Sequence, residues 1–123
     1  MNILILEDGP RRIEWFKQNL DYDVLVTTDD PQVAISNIEN QELDVIYLDH
    51  DLLPEHYEQD TNCDKTTGLC VAKHLALTNK NYDATIIIHS RNWNGVGRMV
   101  AALVNGDRVV TCHPFHIMSG LKI

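Results

Sequence analysis

The chain has 123 residues, a net charge of −8 at pH 7, 44% apolar residues and 23% charged residues. This length suits one domain spanning 1–123, and the composition is typical of a folded soluble protein rather than a disordered one. So acidic a surface repels nucleic-acid phosphates, which argues against non-specific DNA or RNA binding. No apolar run approaches the ~18 residues that a membrane span needs, so we expect no membrane partner.

Cysteine usage and the first residues indicate a reducing compartment. The three cysteines, Cys63, Cys70 and Cys112, match no zinc-binding or CxxC spacing. The start has an apolar stretch of only four residues, which ends at Glu7 with no basic region before it. We therefore expect no signal peptide, reduced thiols and a cytoplasmic location.

Short Ile- and Val-rich runs alternate with amphipathic stretches, as in a buried parallel sheet with helical crossovers. In chain order the pattern predicts strand Ile3–Leu6, a helix from Pro10, strand Val24–Val26, a helix capped by Asp30, strand Val45–Leu48, a helix from Thr67, strand Thr85–Ile88, a helix capped by Asn94 and ending near Gly106, and strand Arg108–Thr111. This order predicts an α/β, flavodoxin-like, doubly wound sheet with strand order 2-1-3-4-5 and helices on both faces. The long polar stretch Leu53–Thr66 is typical of a lid, a binding loop or a mobile insertion.

Polar residues follow four of the five predicted strands. They are Glu7 and Asp8 after the first, Asp49, His50 and Asp51 after the third, His89, Ser90, Arg91 and Asn92 after the fourth, and His113 after the fifth. In an open α/β sheet the ligand crevice lies outside the carboxyl ends of the strands. We therefore expect these side chains to share one cleft.

The acidic residues predict a cation site. Carboxylates that lie close together repel each other unless they share a proton or bind a hard cation. Glu7, Asp8 and Asp49 have the oxygen chemistry for Mg²⁺ or Mn²⁺, and a site that included His50 or His89 would also suit Zn²⁺. The alternative is that Asp8 caps the first helix and the other carboxylates are solvated charges.

The histidines and the start of the fourth helix predict acid–base and anion-binding groups. A lone histidine at a strand end is usually structural, but three of them at neighbouring strand ends favour a functional role, whereas His56 and His74 are interpreted as surface residues. Ser90 offers a hydroxyl, the glycines at 95 and 97 allow close backbone approach to an anion, and Arg91 or Arg98 could grip a phosphate. The alternative for the glycines is a tight turn into the helix.

Over nearly the whole chain, these residues resemble the receiver domains of two-component signalling. Glu7 and Asp8 match the receiver acidic pair, Asp49 the phosphoacceptor, Ser90 the Ser/Thr position, and His113-Pro114 the Lys-Pro pair. The resemblance implies that Glu7, Asp8 and Asp49 bind a divalent cation. His113 stands in place of the receiver lysine, and Phe115–Ile123 is too short for a full last helix, which argues against signalling through the usual face.

Two further segments look like a receiver-derived family of bacteria and phages that is proposed to process cyclic phosphates. They are Leu48-Asp49-His50-Asp51-Leu52 and His89-Ser90-Arg91-Asn92 with Gly95 and Met99, and Thr67-Gly68 also matches. Leu53 stands where a glycine often follows in that family. For a phage-encoded chain, the compartment would be the host cytoplasm.

The leading hypothesis is a metal-dependent phosphoesterase that processes a cyclic phosphate of a nucleotide or an RNA end. Glu7, Asp8, Asp49 and Asp51 would hold the metal, Asp49, His50, His89 and His113 would be the catalytic groups, and Ser90, Asn92, Gly95 and Arg98 would bind the phosphate. One alternative is a stand-alone phosphoacceptor receiver that is modified at Asp49. Another is a non-catalytic module that binds a phosphorylated small molecule.

Overall fold

The structure, a computed structural model, describes residues 1–52 and 66–115. Its elements are β1 (Asn2–Leu6), α1 (Pro10–Asn19), β2 (Val24–Thr28), α2 (Pro31–Asn40), β3 (Val45–Leu48), α3 (Gly68–Leu77), β4 (Thr85–Ile88), α4 (Trp93–Asn105) and β5 (Val110–Cys112). Most of the predicted loop and most of the predicted short last helix lie outside the described residues. Within the described ranges, no helix combines the length and hydropathy that a bilayer crossing requires.

The five strands form one parallel sheet in the order β2-β1-β3-β4-β5, which confirms the predicted topology. Leu6 is in register with Leu48, and Leu48 with Ile88. The ladder continues past the strand ends, because the Asp49 N–H donates to the Leu6 carbonyl at 3.1 Å and the His89 N–H donates to the Leu48 carbonyl at 3.0 Å. Residues that follow these three strands therefore start from the same edge of the sheet.

Both faces of the sheet are buried, which explains why the strands lack polar alternation. Ile46 and Leu48 point into one core, which is shared with α2, α3 and α4. Tyr47 points to the opposite core, where it meets Phe16 of α1 and Phe115. Helices on both sides thus hold the sheet rigid beneath the polar edge.

The structure extends β1 back to Asn2, β2 on to Thr28 and β5 on to Cys112, and it starts α3 at Gly68. Two further predicted boundaries were wrong. The fourth helix begins at Trp93, and its cap is Asn92, whose side chain accepts a hydrogen bond from the Gly95 N–H; Asn94 is inside the helix. Arg108 is not in β5, because its buried guanidinium turns away to bond backbone carbonyls at the end of α3 and in the loop that follows. The strand therefore begins at Val110.

Candidate functional site

Three buried side chains meet at the polar edge of the sheet. Glu7, Asp49 and His89 each offer a ligand atom, and the three atoms lie within 4.8 Å of one another. The relative exposures are 0%, 6% and 2%, respectively. Two carboxylates and an imidazole form a mixed oxygen and nitrogen donor set that could hold a divalent metal ion. His89, for which the sequence left both a metal-ligand role and an acid–base role open, is the third member of this set.

Glu7 is fully engaged in hydrogen bonds. Its Oε1 accepts from Arg12 Nε at 2.8 Å and lies 3.0 Å from His89 Nε2. Its Oε2 accepts from the N–H groups of Asp8 and Gly9 and from Arg12 Nη2, all within 2.9 Å. Burial opposes ionisation of Glu7, but the bonds from His89 and Arg12 outweigh it and hold the pKa of this carboxyl well below its usual range. Glu7 is therefore a buried carboxylate anion.

Asp49 has the opposite electrostatic character. Burial and the neighbouring Glu7 charge raise its pKa to about 7, although His89, Arg12 and a backbone hydrogen bond from His50 act the other way. That backbone bond runs from the His50 N–H to Asp49 Oδ1 at 2.8 Å. The Asp49 carboxyl therefore gains and loses its proton close to neutral pH.

A second network surrounds His50, whose side chain is fully buried. Its Nδ1 lies 2.8 Å from Asp51 Oδ1, and Asn92 Nδ2 donates to the same carboxylate at 3.2 and 3.3 Å. A carboxylate oxygen can only accept, so Nδ1 carries the proton of this bond. The other ring nitrogen, Nε2, is buried without a hydrogen-bond partner in the described structure. Asp51 thus orients the imidazole.

Two glycines let helices approach these networks closely. A Cβ on Gly68 would lie 1.8 Å from the Asp49 carbonyl oxygen, and a Cβ on Gly95 would lie 2.4 Å from His50 Cγ. Contacts this short do not occur between real atoms, so a side chain at either position would displace its neighbour. The glycines of the two sequence motifs are therefore explained by the space that they leave for Asp49 and His50.

The other predicted metal ligands lie beside the cluster rather than within it. The Asp8 carboxylate is partly exposed and lies 3.4 Å from Arg12 Nη2. Asp8 does not cap the first helix either, because the cap is Gly9 and makes no side-chain hydrogen bond. Asp51 bonds His50, as described above.

The predicted phosphate-binding residues lie at the start of α4. Ser90 Oγ accepts from the Asn92 N–H at 3.1 Å, and the Gly95 N–H donates to Asn92 Oδ1 at 3.0 Å. Arg98 is half-buried one turn further along the helix, and His113 is exposed, with its backbone N–H bonded to Ile88. Their roles in binding and catalysis stay predictions.

Arg12 was not among the predicted site residues, and Asp51 was predicted as a metal ligand rather than as a partner of His50. Arg12 lies on the first turn of α1, directly after the acidic strand end, and that position alone was a usable signal. A cation one helical turn beyond a pair of acids is well placed to compensate them. The Asp51–His50 bond had no comparable signal, because only the geometry of the folded chain joins these side chains.

The fold and the acidic edge define a receiver-type domain. A receiver domain of a CheY-like response regulator from Methylobacillus flagellatus superposes with a TM-score of 0.65 and 20% identity, covering 97% of this chain and 91% of that one. The Salmonella typhimurium RcsB response regulator superposes with a TM-score of 0.56 and 18% identity, covering 90% of this chain and 50% of that one. None of the curated proteins matches this chain.

A family model assigns the chain to one particular family among proteins with the receiver fold. Residues 3–105 match the family described as the cyclic-phosphate processing receiver domain, and the chain belongs to that family. This agrees with the resemblance carried by the third- and fourth-strand motifs.

Proposed function

We propose that this protein hydrolyses a cyclic phosphate, on a nucleotide or an RNA end, with the help of a divalent cation. One observation carries the proposal: His50 and His89 each bond a carboxylate through one ring nitrogen and keep the other nitrogen buried and unpartnered, within the described residues. Buried ring nitrogens are usually hydrogen-bonded. His74 Nε2 also lacks a hydrogen bond in the described structure, but it lies in the last turn of α3, 3.7 Å from the Glu39 carboxylate, and not at the sheet edge. The family to which the chain belongs supports the class of substrate.

The carboxylates of Glu7 and Asp49 fit a divalent metal, and His89, whose ligand atom lies within 4.8 Å of theirs, is either a third ligand or a proton-transfer group, since a ring nitrogen that binds the ion cannot carry a proton. Ligand atoms around one ion lie roughly 3 to 4.5 Å apart when each is about 2.1 Å from the metal, which is compatible with the observed cluster. Mg²⁺ or Mn²⁺ suits two carboxylates, and the imidazole extends the choice to Zn²⁺. When bound, the ion would polarise the phosphoryl group and lower the pKa of a water molecule.

The two histidines are prepared for opposite proton transfers. Asp51 holds the Nδ1–H of His50, and Glu7 faces the Nε2 of His89, so the available nitrogens are Nε2 and Nδ1, respectively. Hydrolysis forms a bond from water oxygen to phosphorus and breaks one ring ester bond. One imidazole accepts the proton of the water, and the other, protonated, gives a proton to the leaving oxygen.

The phosphate oxygens would lie against the start of α4. Ser90, Asn92, Gly95 and Arg98 remain the proposed contacts, and the Asn92 amide and the Gly95 N–H would exchange their present bonds on binding. The expected ligand is a small phosphorylated molecule or an RNA end, met in the cytoplasm.

The test is a hydrolysis assay followed by ³¹P NMR. The protein is incubated with Mg²⁺ or Mn²⁺ and a panel of cyclic nucleotides and RNA carrying a terminal cyclic phosphate. Ring opening is expected for wild type, and His50→Ala or His89→Ala should lower the rate by about 10²- to 10⁴-fold, as loss of an acid–base group does. His74→Ala, on the outer part of α3, is the matched control. Equal rates for all three variants would exclude the proposal.

A phosphoacceptor role at Asp49 is the second candidate, because Asp49 occupies the receiver position in a receiver fold. Acetyl phosphate with Mg²⁺ would then add one phosphoryl group, a gain of about 80 Da by mass spectrometry. His50→Ala should keep this labelling, whereas in the first candidate it lowers the hydrolysis rate by about 10²- to 10⁴-fold. Binding of a cyclic phosphate with neither turnover nor labelling would indicate a non-catalytic module.

A further inference from the structure

A guanidinium already occupies the acidic cluster. Arg12 grips both oxygens of Glu7, with Nε 2.8 Å from Oε1 and Nη2 2.9 Å from Oε2. The Glu7 side chain has no exposed surface, and the Arg12 side chain is 23% exposed, so the pair closes the cluster from the α1 side. Bidentate pairs of this kind are the strongest ion pairs that side chains form.

Gly9 makes room for this arrangement. A Cβ at Gly9 would lie 2.7 Å from Arg12 Nη2 and 2.8 Å from Cζ. The backbone of Gly9, at φ −81° and ψ 116°, is open to any residue. The glycine is therefore needed for space, and what fills that space is the guanidinium.

We propose that Arg12 is the resident counter-cation of the cluster and that a divalent ion binds Glu7 only by displacing it. This inference rests on the metal-binding part of the proposed function. A buried carboxylate needs one compensating cation, and a guanidinium and a metal ion on the same oxygens would repel each other. Arg12 thus weakens metal binding and raises the metal concentration at which the site fills.

Gly9→Ala tests this without changing a charge. The three atoms nearest to the added methyl all belong to the flexible end of Arg12, so we expect the guanidinium to move and the fold to be kept. Mn²⁺ affinity, measured by calorimetry, should rise by roughly 5- to 100-fold, the usual range for coupling between two ligands. Gly97→Ala is the control, because a Cβ there would have no atom of residues 1–52 or 66–115 within 4 Å.

Arg12→Gln should act in the same direction, and Arg11→Gln is its matched control. Arg11 is exposed and carries the same charge one residue away. If displacement is the mechanism, Arg12→Gln tightens Mn²⁺ binding far more than Arg11→Gln does. In a Glu7→Gln background, the effect of Arg12→Gln should vanish, since the shared carboxylate is gone.

The outcomes separate this inference from the proposed function. Unchanged or weaker Mn²⁺ binding in Gly9→Ala and Arg12→Gln would overturn the role of Arg12 and leave the metal site standing. Mn²⁺ binding by Gly9→Ala and Arg12→Gln but not by wild type would support the proposed role of Arg12. No binding by any of the proteins would overturn both the Arg12 role and the metal requirement, whereas intact binding without hydrolysis would contradict only the proposed reaction.

Discussion

His50 Nδ1 lies 2.8 Å from Asp51 Oδ1, so an aspartate that follows a strand end holds the imidazole of the preceding residue. Asp51 was predicted as a metal ligand, but in the structure its carboxylate is bonded to His50 and to Asn92. This relationship makes Asp51 a positioning residue in the proposed reaction. The distinction is measurable, because a ligand and a positioning residue affect different quantities.

Asp51→Asn should lower hydrolysis by about 10²-fold or more, because an amide N–H turned toward Nδ1 would force the proton onto Nε2. Mn²⁺ affinity should stay unchanged, and the pH dependence of the residual rate should shift. Calorimetry and a pH–rate profile measure the two effects. A parallel loss of metal affinity would return Asp51 to the set of metal ligands.

Gly95→Ala should impair the same histidine from the other side. The new Cβ would lie 2.4 Å from His50 Cγ, so the ring has to leave its position against α4, and activity should fall to the level of His50→Ala. In Gly97→Ala, on the exposed side of the same helix, the free energy of unfolding should instead rise by up to about 1 kcal/mol through helix propensity. Denaturant unfolding and the hydrolysis assay distinguish the pair, and equal activity in both would contradict the packing argument.

Asp49 should make stability depend on pH in the absence of metal. Because burial raises its folded-state pKa to about 7, the native state binds a proton that the unfolded chain releases above its ordinary pKa of 3.8. The free energy of unfolding therefore falls as pH rises from about 4 to 7. Above pH 7 the destabilisation by the ionised, buried Asp49 is complete. Asp49→Asn, which removes the charge, should be more stable than wild type at pH 8, by a few kcal/mol at most, and less so at pH 5.

Urea unfolding at the two pH values measures this difference. Asp83→Asn, at an exposed position, is the control and should show no comparable gap. A difference between Asp49→Asn and wild type that widens toward pH 5 would contradict the assignment of a raised pKa.

Arg108 should matter for stability and not for the site. Its guanidinium donates to four backbone carbonyls, those of Leu75, Thr78, Lys80 and Asn81, at 2.7 to 3.1 Å. Arg108→Lys keeps the charge but cannot reach all four, and we expect a loss of about 1 to 3 kcal/mol in the free energy of unfolding. Mn²⁺ affinity at moderate temperature should be unaffected. Wild-type stability in Arg108→Lys would show that these bonds contribute little.

The architecture and the residue types at the polar edge could be predicted from the sequence alone. Alternating β-branched runs and amphipathic stretches predicted the parallel sheet and its order, because burial on both faces demands continuous apolar strands. The motifs around Asp49 and His89 predicted the family that the match over residues 3–105 shows. The glycines at 68 and 95 were recognised in the sequence as parts of the motifs. That they leave space for Asp49 and His50 could be seen only in the structure.

The pairing of the polar groups depends on the three-dimensional fold and could not be predicted from the sequence. Successive residues at a strand end point to opposite sides, so Glu7 and Asp8, adjacent in sequence, separate into a buried member of the cluster and a partly exposed neighbour. By residue type, Asn92 and Asn94 are equally suited to cap the fourth helix. In the structure the chain leaves β4 so that Asn92 is the cap. Arg108 was predicted to lie in the last strand, and nothing in its own segment indicated that its guanidinium would bond carbonyls at the end of α3 and in the loop that follows. Hydrogen-bond partners depend on three-dimensional distance and not on sequence spacing.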